Sequence, residues 1–286
     1  MKRIAVIGMG AMGSAVAETL FRSGAEVVTT LKGRSPQTRQ RALAKGIKDV
    51  DLAVLVKADF ILSIVPPAEA LKVAQEVAEA MSQTTPPAFF VDCNAISPET
   101  MSEVANEFGT NIDRVFDGCI IGGPPQAGGS GPRFYISGGG NNIVDALVTY
   151  GIDARPLGNA IGAASSLKMC YAGISKGLIG LATTMLLAAS EHGADTALMA
   201  ELQESQADLL AKFSKGIPDM YPKAYRWIAE MKEIADFLGP DNPASNIFVG
   251  MEGLFKRMAA DQADDGGLSK TLSAMLADET RHREIN

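Results

Sequence analysis

Cysteine and histidine are scarce: the 286 residues include only Cys93, Cys119 and Cys170, and only His192 and His282. Three widely separated thiols argue against a disulfide framework, and two imidazoles leave little from which to build a zinc site, so no metal is expected. Excess positive charge is missing too. Lys and Arg number 26 against 33 Asp and Glu, a formal net of −7, which argues against non-specific attraction to nucleic acid or to an anionic membrane. A membrane-spanning run is also lacking, since the apolar stretch Gly177–Ser190 covers 14 residues against the roughly 18 needed to cross a bilayer. A hydrophobic share of 47% with 21% charged residues excludes a disordered chain, and the 29 glycines show no three-residue period. The uncharged stretch Ile4–Ala17 behind Lys2 and Arg3 imitates a secretory leader. Its three glycines and the strand pattern that follows read better as strand, turn and helix. A cytoplasmic protein with neither nucleic-acid nor membrane partners is expected.

Short apolar runs alternate with helical patterns over the first 155 or so residues. Strands are expected at Arg3–Gly8, Glu26–Leu31, Asp59–Val65, Ala88–Val91, Arg114–Ile120 and Arg133–Ser137. Helices are expected at Ala11–Ser23, around Thr38–Lys45, at Ala68–Met81 and at Glu99–Phe108. Near-continuous apolar strands separated by helices indicate an α/β fold, a Rossmann-type doubly wound parallel sheet. From about Ala160 only helical periodicity remains, so the chain divides into 1–160 and an all-helical C-terminal domain, 161–286. A long helix over Ala163–Glu191 carries Leu167, Cys170, Ile174, Leu178, Leu181 and Met185 at helical spacing, which reads as a core-facing stripe. Further helices are expected from Pro222 to Leu238, from Ala244 to Gln262, and after the polar break Asp264–Gly267. Ile247, Met251, Leu254 and Met258 form another apolar stripe. One short helical domain cannot readily cover every such stripe, so a homodimer is expected.

The chemistry begins with Gly8-Met9-Gly10-Ala11-Met12-Gly13, a G-x-G-x-x-G that closes one strand and opens a helix. Gly8 permits the turn, Gly10 lets backbone approach a pyrophosphate, and Gly13 lets helix pack on strand. The helix N-terminus offers free N–H groups to the anion. An NAD site usually carries Asp or Glu about 20 residues further on, at the end of the second strand. Here Thr29-Thr30-Leu31-Lys32-Gly33-Arg34-Ser35 contains no acid. Lys32, Arg34 and Ser35 suit a 2′-phosphate instead, so NADP is expected over NAD; the competing reading is a solvated basic turn. Val65, Pro66 and Pro67 end a central strand, either as a wall beside the nicotinamide or as a plain strand stop. Asn94 follows another strand end and can reach a ligand, while Ser97-Pro98 suits a helix N-cap with proline at the first helical position. Along the long helix Ser165, Lys168, Tyr171 and Ser175 form a polar stripe. Lys168 reads either as a general acid–base in a cleft or as a solvated lysine, and Lys176 as an ordinary surface lysine.

In this order these pieces resemble the β-hydroxyacid dehydrogenase group of the 6-phosphogluconate dehydrogenase superfamily. The likeness covers the whole chain and rests on Gly8–Gly13, Asp92–Pro98, Asp117–Gly123 and Gly162-x5-Lys168. It implies a Rossmann domain, a long interdomain helix, a helical C-terminal domain that commonly dimerises, and a catalytic lysine at Lys168. Arg226–Met231 resembles a poorly characterised subfamily with its own C-terminal domain type. Three departures bear on substrate. Ile121-Gly122-Gly123 stands where the family has Ser-Gly-Gly, keeping the Gly122 and Gly123 amides but losing the hydroxyl; Tyr171 and Ala172 stand where it has Asn; and Asn94 stands where it has Ser. The resemblance implies hydride transfer between NADP and a hydroxyl or carbonyl carbon, with Lys168 shuttling the proton and Asn94, Gly122, Gly123 and Tyr171 around the substrate. Imine reduction, in a related group that typically replaces the lysine, and a non-catalytic NADP-binding sensor are the alternatives.

Overall fold

The computed structural model describes residues 1–125 and 131–283, with side chains as far as Ala277. The chain forms two compact units, Met1–Met169 and Cys170–Asn286. The division falls inside the long helix, a little beyond the 160/161 boundary read from composition.

In the first unit the chain runs β1 (Arg3–Ile7), α1 (Ala11–Arg22), β2 (Glu26–Thr29), α2 (Pro36–Ala44), β3 (Lys48–Asp49), α3 (Leu52–Leu55), β4 (Phe60–Ser63) and α4 (Ala70–Met81). It continues through β5 (Phe89–Asp92), α5 (Pro98–Asn106), β6 (Val115–Ile121), β7 (Arg133–Ser137), α6 (Asn141–Thr149) and β8 (Asp153–Pro156) into α7 (Ala163–Glu191). The eight strands form one sheet in the order β3-β2-β1-β4-β5-β6-β7-β8. Both faces are covered. Ile4 and Val6 of β1 join Phe60, Leu62, Val16 and Leu20 on one side, while Ala5 and Ile7 join Ile61, Val73, Val77 and Phe90 on the other. Two-sided burial is why β4 reads as a near-continuous apolar run rather than an alternating one. The strand order reverses at β1, between β2 and β4, which opens a ligand crevice at the carboxyl ends of these strands.

The sheet is not wholly parallel. β7 runs antiparallel to β6, with Cys119 opposite Tyr135, and β8 then pairs parallel with β7. Two strands escape the apolar pattern because they are short and polar: β3 is Lys48-Asp49, and β8 ends on a proline. Strand β2 stops at Thr29, so Thr30 and Leu31 belong to the following turn. Helix α2 begins two residues earlier than its periodicity suggests, at Pro36, because Ser35 caps it.

The second unit contains the rest of α7, then α8 (Asp195–Ser205), α9 (Ala207–Met220), α10 (Ala224–Leu238), α11 (Ser245–Ala263) and α12 (Gly267–Arg283). Here one expectation is overturned. Four of the six α7 residues assigned to the core face outward: Ile174 is 68% exposed, Leu181 55% and Met185 53%, and Cys170 is exposed too, whereas Leu178 is half-buried and Leu167 packs against Cys119 and Ile121. The covered face carries Met169, Ala172, Ile179, Ala182 and Leu186. Gly173, Gly177 and Gly180 lie on it at helical spacing, and a Cβ at these positions would meet Phe248, Met251 and Phe255 of α11 at 3.3–3.9 Å. Small residues carry the packing because they let large α11 side chains approach the α7 backbone, and a hydropathy stripe overlooks them. The same contact alters the argument made for α11. Met251 packs on α7 and Met258 is fully buried, whereas Ile247 is 56% exposed. Helix α7 is long and apolar enough to cross a membrane by length and composition alone, and half of its most apolar window is buried, as in a core helix.

Candidate active site

The β1–α1 turn separates what the protein itself requires of its glycines from what it does not. Gly8 has φ +99°, and a Cβ there would lie 2.1 Å from the Ile64 carbonyl oxygen. A Cβ on Gly13 would lie 1.8 Å from the Gly8 carbonyl oxygen. Both positions exclude any other residue on internal grounds. Gly10 has φ −68° and ψ −169°, open to any residue, and nothing stands within 4 Å of its Cβ position. The space beside Gly10 therefore fits a ligand drawn against the backbone. No side chain caps α1, whose first internal hydrogen bond runs from the Ser14 amide to the Gly10 carbonyl at 3.0 Å. The amides of Ala11, Met12 and Gly13 precede it, as an anion site at a helix N-terminus requires. Met9 is buried, and its carbonyl accepts a hydrogen bond from Arg41 Nη1 at 3.1 Å, so α2 braces this turn.

Beside it, the chain leaving β2 closes a turn in which the Arg34 amide donates to the Leu31 carbonyl at 3.1 Å and Gly33 has φ +72°. Lys32 is exposed and Arg34 half-buried. Ser35 Oγ accepts from the Thr38 amide at 3.3 Å, so this hydroxyl is first of all a helix cap. A cavity of about 410 Å³ opens here, with Lys32 and Arg34 on one wall and Val73, Glu76 and Val77 of α4 on another. The acid missing from the end of β2 arrives from β3 instead. Asp49 pairs in register with Thr29, and its Oδ1 accepts from the Leu31 amide at 2.8 Å.

At the ends of β4 and β5 a buried polar cluster ties two loops together. Asn94 Oδ1 accepts from the Val65 amide at 2.7 Å, and Asn94 Nδ2 donates to Ser63 Oγ at 3.1 Å and to Asp92 Oδ2 at 2.7 Å. Asn94 is 3% exposed with its amide engaged at both ends, so it fixes the Val65-Pro66-Pro67 segment rather than reaching out to a ligand. Pro66 is exposed, and Pro67 opens the short turn Pro67–Glu69. Burial pushes the Asp92 carboxyl up to about 7, the two hydrogen bonds from Asn94 pull against it, and the neighbouring Asp117 charge raises it further. Ser97 caps α5 through the Thr100 amide at 3.1 Å, with Pro98 in the first helical position.

The start of α7 is held by β6. Asp117, fully buried, accepts at Oδ2 from the Ser165 amide and from Ser137 Oγ, both at 3.0 Å, and at Oδ1 from Ser165 Oγ at 2.7 Å. One helical turn on, Lys168 Nζ donates to the Ile120 carbonyl at 2.6 Å. Strand β6 thus anchors the first turn of α7 and places the lysine two residues from Gly122 and three from Gly123, both exposed. Gly122 has φ +116°, which favours glycine. Burial pushes the Cys119 thiol on this strand up to about 12, partly offset by the Lys168 charge, so it stays protonated. Tyr171, a turn beyond Lys168, belongs to the second unit, is 48% exposed and lies outside this group of hydrogen bonds. Sequence reasoning noted the Asp117–Gly123 segment but not the anchoring role of Asp117. Nor did it find Asp49 or Arg41, whose positions depend on a two-residue strand and on a helix-to-turn contact.

Comparison with known proteins places the chain in a family and a fold. The family described as the NAD binding domain of 6-phosphogluconate dehydrogenase matches residues 3–149, just over half of the chain. A domain of unknown function, DUF1932, matches residues 189–258. An uncharacterized 28.5 kDa protein encoded in the 7S RNA 5′ region of Methanothermus fervidus is 26% identical over 259 residues, 90% of this chain and 98% of that protein. Among solved structures, a conserved protein of unknown function described as structurally similar to 3-hydroxyacid dehydrogenases has 26% identity and a TM-score of 0.68, covering 91% of this chain and 99% of its own. The 3-hydroxyisobutyrate dehydrogenase of Mycobacterium tuberculosis shares the fold, with 18% identity and a TM-score of 0.71 over 95% of this chain and 99% of its own.

Proposed function

Because this chain belongs to the family of the NAD binding domain of 6-phosphogluconate dehydrogenase, we propose that it is an NADP-dependent oxidoreductase acting on a hydroxyl-bearing or carbonyl substrate, hydroxy-acid-like in character. The observation that carries this reading is Lys168, held 2.6 Å from the Ile120 carbonyl beside Gly122 and Gly123. The nicotinamide, when bound, supplies or accepts the hydride. The turn from Gly8 to Gly13 holds the pyrophosphate, with Met9, Ala11 and Met12 contributing backbone. Lys32, Arg34 and Ser35 receive the 2′-phosphate, and Val65, Pro66 and Pro67 border the nicotinamide. The Gly122 and Gly123 amides hold the substrate, Tyr171 orients it, and Lys168 gives or takes the proton at the reacting oxygen. Asn94 keeps the Val65 loop in place.

The test is single-turnover oxidation of bound NADPH across a panel of carbonyl compounds and imines. Turnover is expected with carbonyl compounds, together with tighter binding of NADPH than of NADH. Turnover confined to imines, or equal binding of the two cofactors, overturns the corresponding half of the reading.

The protein is also proposed to be a cytoplasmic homodimer. Supporting the compartment are its unpaired cysteines, Cys93 and Cys119 among them buried. Supporting the dimer is the outward α7 face of Ile174, Leu181 and Met185, a second copy being its occupant. Light scattering at micromolar concentration should give twice the chain mass, and Leu181→Glu should halve it. A monomer mass for the native protein refutes the proposal.

A further inference from the structure

The turn that carries Lys32 and Arg34 has a charge of the wrong sign beside it. Asp49 ends β3 in register with Thr29, the last residue of β2. Its carboxylate therefore stands beside the place where an NAD-type site carries the acid that binds the ribose 2′-hydroxyl. Asp49 Oδ1 takes the Leu31 amide at 2.8 Å, which fixes the first residue of the turn. Left to itself, this carboxylate would repel a 2′-phosphate and favour a 2′-hydroxyl.

Arg39, on the first turns of α2, answers it from the other end. Its Nε donates to the Arg34 carbonyl at 3.2 Å, which fixes the last residue of the turn, and its Nη1 lies 4.0 Å from Asp49 Oδ2. One guanidinium thus grips the turn and offsets the acid. Arg39 and Asp49 together close a clamp around the four residues from Leu31 to Arg34. Both side chains are partly exposed, 45% and 39%, so the pair itself adds little to stability. Its effect falls on the charge that a nucleotide meets.

We infer that Arg39 is a specificity-determining positioning residue: by neutralising Asp49 and holding the Arg34 carbonyl, it converts a turn carrying an NAD-type acid into one that receives a 2′-phosphate. The inference rests on the cofactor reading above and adds residues to it. It also explains how an acid on β3 can stand beside a turn carrying two cations without cancelling the proposed preference. Lys32 and Arg34 line the cavity together with Glu76 and Glu79 of α4, while Arg39 and Asp49 hold the turn through the Arg34 carbonyl and the Leu31 amide.

The experiment is fluorescence titration of the full-length protein with NADPH and with NADH, read as the ratio of the two dissociation constants. Arg39→Met should lower the preference for NADPH about tenfold, the order expected when one partly solvated charge loses its partner. The change should lie in NADPH affinity, with NADH moving less than about threefold. Asp49→Asn keeps an acceptor for the Leu31 amide and removes the charge, so it should hold or strengthen the NADPH preference. In Arg39→Met/Asp49→Asn the ratio should return most of the way to that of the native protein. A purely structural role for Arg39 would weaken both cofactors alike, and that result overturns the inference. A ratio unmoved by Arg39→Met, while Lys32→Met and Arg34→Met abolish the preference, overturns it and leaves the cofactor reading standing. Equal binding of NADPH and NADH by the native protein removes the cofactor reading itself. If Glu76→Gln shifts the ratio as far as Arg39→Met does, the deciding charge lies across the cavity and the inference fails.

Discussion

Helix α7 carries two lysines eight positions apart, and they are answered in opposite ways. Lys168, in the first unit, donates to a neutral carbonyl, that of Ile120. Lys176, in the second, is paired with the Glu230 carboxylate and sits over the Trp227 ring at 5.1 Å, with 17% of its side chain and 13% of its partner's exposed. A carbonyl orients an ammonium and occupies one N–H, but leaves its charge uncompensated. A carboxylate and an aromatic face compensate the charge and leave little to offer a newcomer. Under the proposed function this difference leaves Lys168 free to exchange a proton, whereas Lys176 ties α7 to α10.

The largest expected effect tests that contrast directly. Lys168→Met should lower kcat by about 10²–10⁴-fold, the usual contribution of a general acid–base group, and leave the NADPH dissociation constant within about threefold. Lys176→Met should leave kcat within about threefold. Single-turnover NADPH oxidation by the two variants reads both. If Lys168→Met turns over normally and Tyr171→Phe does not, the tyrosine is the donor, the contrast collapses and imine reduction becomes the better reading.

Stability should show the reverse order. Lys176→Met leaves Glu230 largely buried without its cation and should cost about 3 kcal/mol in urea unfolding. Lys176→Met combined with Glu230→Leu should recover most of that loss, because a packed apolar pair can replace a buried ion pair. No recovery would show that the pair does more than neutralise charge.

The smallest effect concerns a buried acid that has no cation beside it among the described residues. Asp92 has its carboxyl raised from 3.8 to about 7 in the folded protein, so the native state keeps a proton that the unfolded chain has already released. Its contribution to stability is complete below about pH 4 and is lost as pH rises through about 7. Between pH 6 and pH 8 the native protein should lose about 1 kcal/mol from this source. Asp92→Asn, compared by urea midpoints at the two values, should lack that part of the slope. An unchanged slope would mean that Asp92 is ionised throughout.

How much of this was legible beforehand differs between the two units for a physical reason. In the first unit strands buried on both faces and a turn needing glycine leave strong local marks, so β1, α1, β4, β5 and Gly8–Gly13 could be placed from residue types alone. Polar or very short elements left no such mark. β3 is two residues long, and with it Asp49 went unseen. In the second unit periodicity marked α7 as amphipathic, but Gly173, Gly177 and Gly180 carry the packing and score low on any hydropathy scale, so the wrong face was turned inward. Helix α9 was missed because it contains Gly216 and Pro218, ordinarily breakers; Gly216 instead seats Ile179, whose Cδ1 lies 2.4 Å from the Cβ position. The place of Lys168 on α7 was readable from helical spacing, while its proposed role came from the resemblance alone. The site was unreadable where the partner is distant in sequence, as with Asp117 on β6 and Ser165 on α7, and the amide of Asn94 reads outward from sequence because two of its three partners, Ser63 and Val65, lie about 30 residues away.

Gly10 gives this protein a usable genetic handle. A methyl group there meets no protein atom, so Gly10→Ala should accumulate in cells at the native level and melt at the native temperature, while NADPH titration shows no saturation. Gly8→Ala or Gly13→Ala, by contrast, should deplete the protein itself. An organism carrying the Gly10 allele would retain the surfaces of the molecule and lose only the proposed redox chemistry. Comparing that strain with a deletion would separate phenotypes caused by missing turnover from those caused by a missing binding partner.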